Sequence, residues 1–255
     1  MPSFGEAVKR EMLVVAAAIA ALWLMLLVAV VLVARPSLEP EVVVEERNLE
    51  PARQVGFAPG ESYRYLLVSE GSEIAVNISV TEGSTNGTPC LLVLRDENAS
   101  GGARRLGACY SRLNGSVLRM FTTDGAVESE LPPNFYAGDP VMVFYEPWML
   151  AAEENWSGSL SVTARPKQGD VRLIQLGQTV VTEYVFVGRE RVMGRDALVV
   201  NITVSRLAGN ETTPVARRIV WVDEDRRVLL RELDETGGAR AEKILVSAPF
   251  PLEKD

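Results

Sequence analysis

Residues 73–95 read EIAVNISVTEGSTNGTPCLLVLR, and this stretch decides the fold class of the chain. Aliphatic side chains take every second position from Ile74 to Val80, with polar or small residues between them. A period of two is typical of a β-strand that buries one face. Gly, Ser and Asn residues at 83–87 predict a turn, and a second strand follows at Pro89–Arg95. The stretch therefore predicts two strands joined by a turn.

The same pattern continues on both sides of this stretch, and no long amphipathic helix is evident after residue 60. We predict a loop at 123–140, which contains the Pro132-Pro133 pair, and a short helix at Met149–Asn155. The predicted fold class is mainly β, an antiparallel sheet of half-barrel or sandwich-like form. Further strands are predicted at Tyr63–Val68, Arg105–Tyr110, Ser116–Thr122, Pro140–Tyr145, Gly158–Ala164, Val171–Leu176, Thr179–Arg191, Arg195–Leu207, Thr213–Asp223, Arg227–Asp234 and Arg240–Ser247.

The N-terminal part has a different composition, because Met12–Ala34 holds 23 residues without a charge, amide or hydroxyl. A helix of that length spans roughly 34 Å, enough for the hydrocarbon core of a bilayer. The predicted organisation is a short cytoplasmic segment 1–11, a transmembrane helix 12–34 and a Pro/Glu-rich spacer 35–60. A first β-rich domain 61–166 and a second, half-barrel-like domain 167–255 follow. The alternative for the spacer is an ordered first strand around Val42–Val44.

Basic residues indicate the orientation of the predicted helix. Lys9 and Arg10 precede it, whereas glutamates dominate the segment after Arg35. Because basic residues stay preferentially in the cytoplasm, we expect the N-terminus inside and the C-terminal region outside, as in a signal-anchor protein. A cleaved signal peptide is the alternative, but its apolar core is normally only about 7–15 residues long.

Sequons support the exterior location. Seven of the nine asparagines begin an N-x-S/T triplet, and all seven follow the apolar segment. This motif is modified only on the translocated side of a membrane, on accessible backbone. The predicted glycosylation sites are Asn77, Asn86, Asn98, Asn114, Asn155, Asn201 and Asn210.

Two of the sequons lie in similar strands. Residues 75–80 read AVNISV and residues 199–204 read VVNITV, at an offset of 124 positions. An internal duplication and two hairpins that merely look alike both account for the match, because only three repeats or more make a strong period.

The only cysteines, Cys90 and Cys109, both lie on the predicted exterior side. Outside the cell, such a pair predicts a disulfide that closes a hairpin or loop. Two free buried thiols are the alternative.

Composition excludes several classes of site. The chain has no histidine, which removes His-based zinc sites and Ser-His-Asp or Cys-His catalysis. Its net charge of −8 argues against nucleic-acid binding. The acidic run Asp223-Glu224-Asp225 fits a hairpin turn better than a calcium loop, and Arg104-Arg105 and Arg217-Arg218 fit exposed charges at strand ends. We therefore expect no metal, no cofactor and no catalytic residue.

Residues 184–238 resemble the lipoprotein-carrier-like family, which includes lipoprotein-sorting proteins and envelope-stress regulators. The resemblance is carried by VGRE at 187–190, VMGR at 192–195, the strand Ala197–Val204, VWVD at 220–223 and LLRE at 229–232. It implies a curved antiparallel sheet with Trp221 in the core and a turn at Asp223–Arg226. It also implies an apolar cavity that could hold a lipid or a hydrophobic peptide.

We therefore expect a single-pass exterior glycoprotein with a binding or structural role at the cell surface. It would hold a lipid, a hydrophobic ligand or an envelope protein partner. The alternative is a hydrolase of envelope polymers that uses carboxylates, for which Asp124, Glu128 and Glu130 are the candidates. Because the chain has 22 arginines and 4 lysines together with many sequons, an archaeal cell envelope is the hypothesis for its source.

Overall fold

A computed structural model describes residues 41–69, 71–99, 102–124, 127–131, 144–165, 179–208, 211–236 and 239–253. These residues form an antiparallel sheet of thirteen strands, so the prediction of a mainly β fold is confirmed. The predicted transmembrane helix 12–34 lies outside the described residues. Within them, no helix has the length and hydropathy needed to cross a bilayer.

The strands belong to one sheet with the order β1-β8-β9-β10-β11-β12-β13-β2-β3-β4-β5-β6-β7. Neighbours in the chain are neighbours in the sheet except where β13 pairs with β2 and where β8 lies beside β1. The strands are β1 Glu41–Arg47, β2 Ser62–Ser69, β3 Ser72–Thr85, β4 Thr88–Ala99, β5 Gly102–Tyr110, β6 Val117–Asp124, β7 Val127–Glu130, β8 Ser157–Arg165, β9 Thr179–Val192, β10 Arg195–Ala208, β11 Glu211–Asp223, β12 Leu229–Thr236 and β13 Ala239–Ser247.

The predicted domains 61–166 and 167–255 both contribute strands to this sheet. Val42–Arg165 and Arg172–Asp255 form one compact unit. The other unit consists of Met1–Glu41 and Pro166–Val171, and all of it except Glu41 lies outside the described residues. The predicted boundary near residues 166–169 also lies outside them.

Two-residue turns set the register of the longest hairpins. Met193 and Gly194 connect β9 to β10, and both have positive φ, +53° and +74°. Asn86 and Gly87 connect β3 to β4 in the same way, with φ of +49° and +77°. Positive φ at both central positions is the requirement of the type I′ turn, whose twist matches that of the flanking strands.

The sheet curves around one irregular segment, Phe144–Trp156, which we call the inner segment. It contains the short 3₁₀ helix Pro147–Leu150. Tyr145 packs against Tyr110 of β5, and Trp148 packs against Tyr184 of β9, each with ring centroids 5.1 Å apart. Strands β5 and β9 are eight steps apart in the sheet, about 38 Å if the sheet were flat. Because three residues cannot span that distance, the sheet must wrap around the inner segment.

Aromatic side chains fill much of the space between the inner segment and the sheet. Phe57, Tyr63, Tyr110, Phe144 and Tyr145 form a contiguous cluster of tilted and edge-on ring contacts. All five are buried. Such contacts add about 0.5–1.5 kcal/mol per pair beyond the burial of their area.

The predicted disulfide is present. Cys90 of β4 and Cys109 of β5 are bonded across adjacent antiparallel strands, with Cα atoms 5.6 Å apart. Both side chains are buried, and the bond cross-links β4 to β5.

Several local predictions were wrong. Residues 41–60 are not an extended spacer, because Glu41–Arg47 form a strand of the sheet and Phe57 lies in the core. Residues 127–130 form a strand instead of a loop. Phe144 and Tyr145, the described end of the predicted strand Pro140–Tyr145, are irregular and pack on the concave side of the sheet. The predicted strand Val171–Leu176 lies outside the described residues.

Candidate functional site

A cleft of about 600 Å³ lies beside β1. Its size is within the range of small-molecule and peptide sites, about 300–1,000 Å³. The lining comes from β1, the residues that follow it, the β5–β6 connection, the 3₁₀ helix and β8. The lining residues are Val44, Glu46, Asn48, Leu49, Glu50, Pro51, Asn114, Ser116, Val117, Pro147 and Leu160.

The cleft opens on the concave side of the sheet. Leu160 of β8 pairs with the buried Thr182 of β9, and Gly158 pairs with Tyr184, whose ring contacts the inner segment. Because side chains on one face alternate along a strand, Leu160 and Tyr184 lie on the same face. The cleft is therefore a part of the concave side next to Pro147 that the inner segment leaves open.

Hydrogen bonds hold the walls of the cleft in place. The backbone N–H groups of Ala52 and Arg53 both donate to the carbonyl oxygen of Leu150, at 3.0 and 3.2 Å. On the other side, the hydroxyl of Tyr145 donates to the carbonyl oxygen of Gly115 at 3.1 Å. Both walls are thus attached to the inner segment, and the cleft is preformed.

The lining combines an apolar surface with negative charge. Leu49, Val117 and Leu160 are half-buried, whereas Glu46 and Glu50 are exposed. Among the described residues, no lysine or arginine lines the cleft. The cleft is therefore suited to a group that carries both an apolar surface and a positive charge.

Strand β1 is at one end of the strand order and pairs with β8 alone among the described strands. The N–H and C=O groups on the other side of an end strand are a template for a further strand. Two residues of this strand, Val44 and Glu46, line the cleft, and Val44 is 46% exposed.

Charged side chains on the concave side of the sheet pair with the inner segment. Arg218 of β11 is buried and lies 3.4 Å from Glu146 and 3.8 Å from Glu232, measured between guanidinium nitrogen and carboxylate oxygen. Lys243 donates to Glu232 at 2.8 Å, and the indole N–H of Trp148 donates to Glu146 at 2.7 Å.

Nearby carboxylates favour the charged form of Arg218. Burial alone would lower the pKa of Arg218, but the carboxylates of Glu146 and Glu232 outweigh burial and raise that pKa above its ordinary value. The prediction that Arg218 is an exposed strand-end charge was wrong, because the inner segment brings Glu146 to it across 72 positions of sequence. The ion pair between Arg218 and Glu146 holds the inner segment against the sheet.

The acidic run 223–225 forms a turn, as predicted. Asp223 is fully buried, and its carboxylate accepts two hydrogen bonds from Arg195 at 2.7 and 3.1 Å. It also accepts hydrogen bonds from the backbone N–H groups of Asp225 and Arg226. Among the described residues, no group of three or more His, Cys, Asp or Glu side chains is arranged to hold a metal ion.

Two of the carboxylates proposed for hydrolysis, Glu128 and Glu130, do not line the cleft. Glu128 and Glu130 are exposed on β7, where both pair with Arg119 of β6. Asp124 is the last residue of β6. These residues therefore belong to the far end of the strand order from β1.

The predicted glycosylation sites are distributed over the sheet and its turns. Asn77, Asn86, Asn114, Asn155 and Asn201 are all exposed. Asn98 is in β4 near its end, and Asn210 lies outside the described residues. Of the five exposed asparagines, only Asn114 lines the cleft, where its side-chain oxygen accepts hydrogen bonds from the N–H and hydroxyl of Ser116.

No family model matches the chain, and no curated protein matches it in sequence. In fold it is similar to a Bacteroides fragilis protein with a YmcC-like fold, at 10% identity and a TM-score of 0.36 over 78% of this chain and 100% of that one. It is also similar to the hypothetical lipoprotein YmcC of Escherichia coli, at 15% identity and a TM-score of 0.33 over 76% and 87% of the two chains.

A third similar structure is MucB, at 13% identity and a TM-score of 0.36 over 82% of this chain and 58% of that one. The similar structures also include a putative lipoprotein from Parabacteroides distasonis, at 9% identity and a TM-score of 0.39 over 77% of this chain and 99% of that one. At these identities the likeness concerns the fold alone.

Proposed function

We propose that the chain is a membrane-anchored exterior protein that binds a partner protein, and that an extended, positively charged segment of the partner occupies the cleft beside β1. The observation that carries this proposal is the preformed cleft, whose lining combines an end strand, an apolar surface and the carboxylates of Glu46 and Glu50.

The exterior location is supported by the sequence. The apolar run 12–34 is long enough for a bilayer, and seven sequons follow it. The disulfide between Cys90 and Cys109 agrees with an oxidising compartment. A protein anchored this way would present the cleft to partners at the outer surface of the membrane.

A peptide fits the cleft better than a lipid does. Backbone groups on the side of β1 that no described strand pairs with can pair with an extended chain, which would place alternate side chains toward the apolar lining. Glu46 and Glu50 attract lysine or arginine and repel the phosphate of an anionic lipid. The inner segment already occupies the concave side around Tyr110, Tyr145 and Tyr184, where an acyl chain would otherwise be sheltered.

Fluorescence anisotropy on the full-length chain in detergent tests this proposal. The probe is a labelled six-residue peptide that alternates lysine and valine, and the comparison peptide has glutamate in place of lysine. We expect saturable binding of the lysine peptide alone. The double substitution Glu46→Gln/Glu50→Gln should weaken that binding about three- to tenfold, since an exposed ion pair contributes about 0.2–1 kcal/mol.

The matched control is Glu73→Gln/Glu183→Gln, which makes the same change of charge at two exposed strand residues outside the cleft. This variant should bind like the unsubstituted chain. Equal weakening by both double substitutions would mean that net charge, not the cleft, attracts the peptide. Failure of the lysine peptide to bind saturably would overturn the proposal.

A further inference from the structure

The face of β9, β10 and β11 opposite the inner segment exposes aliphatic side chains. Val185 and Val187 of β9 are 47% and 50% exposed, and Ile219 of β11 is 37% exposed. On the same strands, Tyr184, Ile202 and Val220 point toward the core and are buried. Adjacent exposed aliphatic residues on a sheet face promote self-association unless something covers them.

Asn201 lies in the middle of this apolar surface. The register places it directly opposite Val185 on one side and directly opposite Ile219 on the other. Residues opposite each other in an antiparallel pair have Cβ atoms about 4.5–5.5 Å apart. Asn201 is exposed and begins the sequon Asn201-Ile202-Thr203.

We propose that Asn201 carries an N-linked glycan whose role is to cover the apolar surface formed by Val185, Val187 and Ile219. In the modification, the side-chain amide nitrogen of Asn201 bonds to the anomeric carbon of a phosphate-activated oligosaccharide. The bond from that carbon to the phosphate oxygen breaks, the phosphate carrier leaves, and the amide nitrogen loses one proton. This inference does not depend on the proposed cleft.

A second sequon in the same kind of position provides the contrast. Asn77 is also exposed in the middle of a long strand, but its cross-strand neighbours are Arg64 of β2 and Asp96 of β4. Asp96 is in addition paired with Arg105. A glycan on Asn77 would therefore lie beside charged side chains that water already solvates, and its loss would leave those charges exposed.

The apolar surface argues for a covering attached to the chain itself. Asn201 stands between the two aliphatic neighbours, so any partner that packed flat on them would have to bury its amide. Burying an amide without a hydrogen-bond partner costs about 1–3 kcal/mol by protein mutational data. A glycan on the amide nitrogen removes that conflict, because the amide becomes the attachment point and the sugar rings extend over the neighbours.

The test uses the full-length chain produced in a cell that glycosylates sequons. Mass spectrometry of its peptides should find Asn201 modified. Asn201→Gln and Thr203→Ala each remove the sequon, and Asn77→Gln and Ser79→Ala are the matched controls. Sedimentation velocity in detergent should show at least a fivefold larger fraction of self-associated chain for the Asn201 and Thr203 variants than for the two controls.

A compensating substitution distinguishes exposure of the apolar surface from a folding defect of the variant. Adding Val185→Thr and Ile219→Thr to Asn201→Gln makes the uncovered surface polar and should return the self-associated fraction to that of the controls. An unmodified Asn201 in a chain whose other sequons are modified would overturn the proposal. So would equal association of the Asn201 and Asn77 variants, or a failure of the two threonines to reduce association.

Discussion

The guanidinium of Arg227 donates a hydrogen bond of 2.5 Å to the carbonyl oxygen of Ala152, across 75 positions of sequence. The same nitrogen is 3.3 Å from the carbonyl oxygen of Met149. Both bonds are buried, and they attach the turn between β11 and β12 to the inner segment. Arg227 thus supplies donors for carbonyl groups that the irregular inner segment cannot pair within itself.

Replacing Arg227 with methionine should lower the free energy of unfolding by about 2–4 kcal/mol. Methionine has an apolar side chain of similar length but leaves the two buried carbonyls without this donor, and each unsatisfied group costs about 1–3 kcal/mol. Denaturant unfolding followed by tryptophan fluorescence measures the change, because Trp148 belongs to the inner segment.

The control for Arg227 is Arg112→Met. Arg112 pairs with Glu82 in an exposed ion pair. Its replacement should change the free energy of unfolding by less than about 0.5 kcal/mol. If Arg112→Met destabilised the chain as much as Arg227→Met, the hydrogen bonds to the inner segment would not be the cause.

Gly107→Ala should destabilise the sheet by about 1–3 kcal/mol. Gly107 of β5 pairs directly with Phe121 of β6, and a Cβ atom at Gly107 would stand 2.1 Å from the Phe121 ring. The matched variant is Gly188→Ala in β9, where a Cβ atom would meet no atom within 4 Å. Thermal unfolding of both variants checks the prediction, and a lower midpoint for Gly188→Ala than for Gly107→Ala would contradict it.

Removing the disulfide with Cys90→Ala/Cys109→Ala should lower the free energy of unfolding by about 3 kcal/mol. The bond closes a loop of 19 residues in sequence, so its loss frees the unfolded chain more than the folded one. A reducing agent should lower the stability of the unsubstituted chain to that of the variant and leave the variant unchanged. A reducing agent that destabilised the variant equally would point to another cause.

Glu61 should make the stability of the chain depend on acid pH. Burial alone would raise its pKa, but hydrogen bonds from Arg226, the Tyr63 hydroxyl and the Ala58 N–H lower the pKa below its ordinary 4.5. Folding lowers the pKa of the Glu61 carboxyl below its unfolded value. Its contribution to the free energy of unfolding is therefore fully present above pH 4.5. It is lost as the pH falls through the folded value.

The variant Glu61→Gln isolates this effect. At pH 6–8 the unsubstituted chain should be more stable than Glu61→Gln by about 1–3 kcal/mol, the range for hydrogen bonds to a charged group. The difference should shrink as the pH falls below 4.5. A difference that stayed constant down to pH 3 would show that ionisation of Glu61 does not contribute.

Local patterns were sufficient to predict most of the sheet. Alternation in residues 73–80 identified β3, because that strand buries one face and exposes the other. The aliphatic, β-branched run in residues 197–204 identified β10, although Ala197–Val200 are buried on both faces. The disulfide followed from the presence of two cysteines on the predicted exterior side. These features depend on residues that are close in sequence or on the number of cysteines in the chain.

The inner segment and the cleft could not be predicted in this way. Pro140–Tyr145 has the composition of a strand, yet Phe144 and Tyr145 fill the concave side, because Tyr110 and Phe57 provide an aromatic environment there. The cleft joins residues 44–51 to residues 114–117 and Leu160, which no local pattern connects. The glutamates of 41–50 look like a solvated spacer until β8 is known to lie beside β1.

Hydrogen–deuterium exchange of the full-length chain in detergent, with and without the lysine–valine peptide, tests the central claim most directly. If the peptide extends the sheet at β1, backbone amides of Glu41–Arg47 should exchange at least tenfold more slowly in the complex, because amides in new strand pairs are protected. Amides of β6 and β7, at the other end of the strand order, should be unchanged. Saturable binding without any slowing in Glu41–Arg47 would contradict the account.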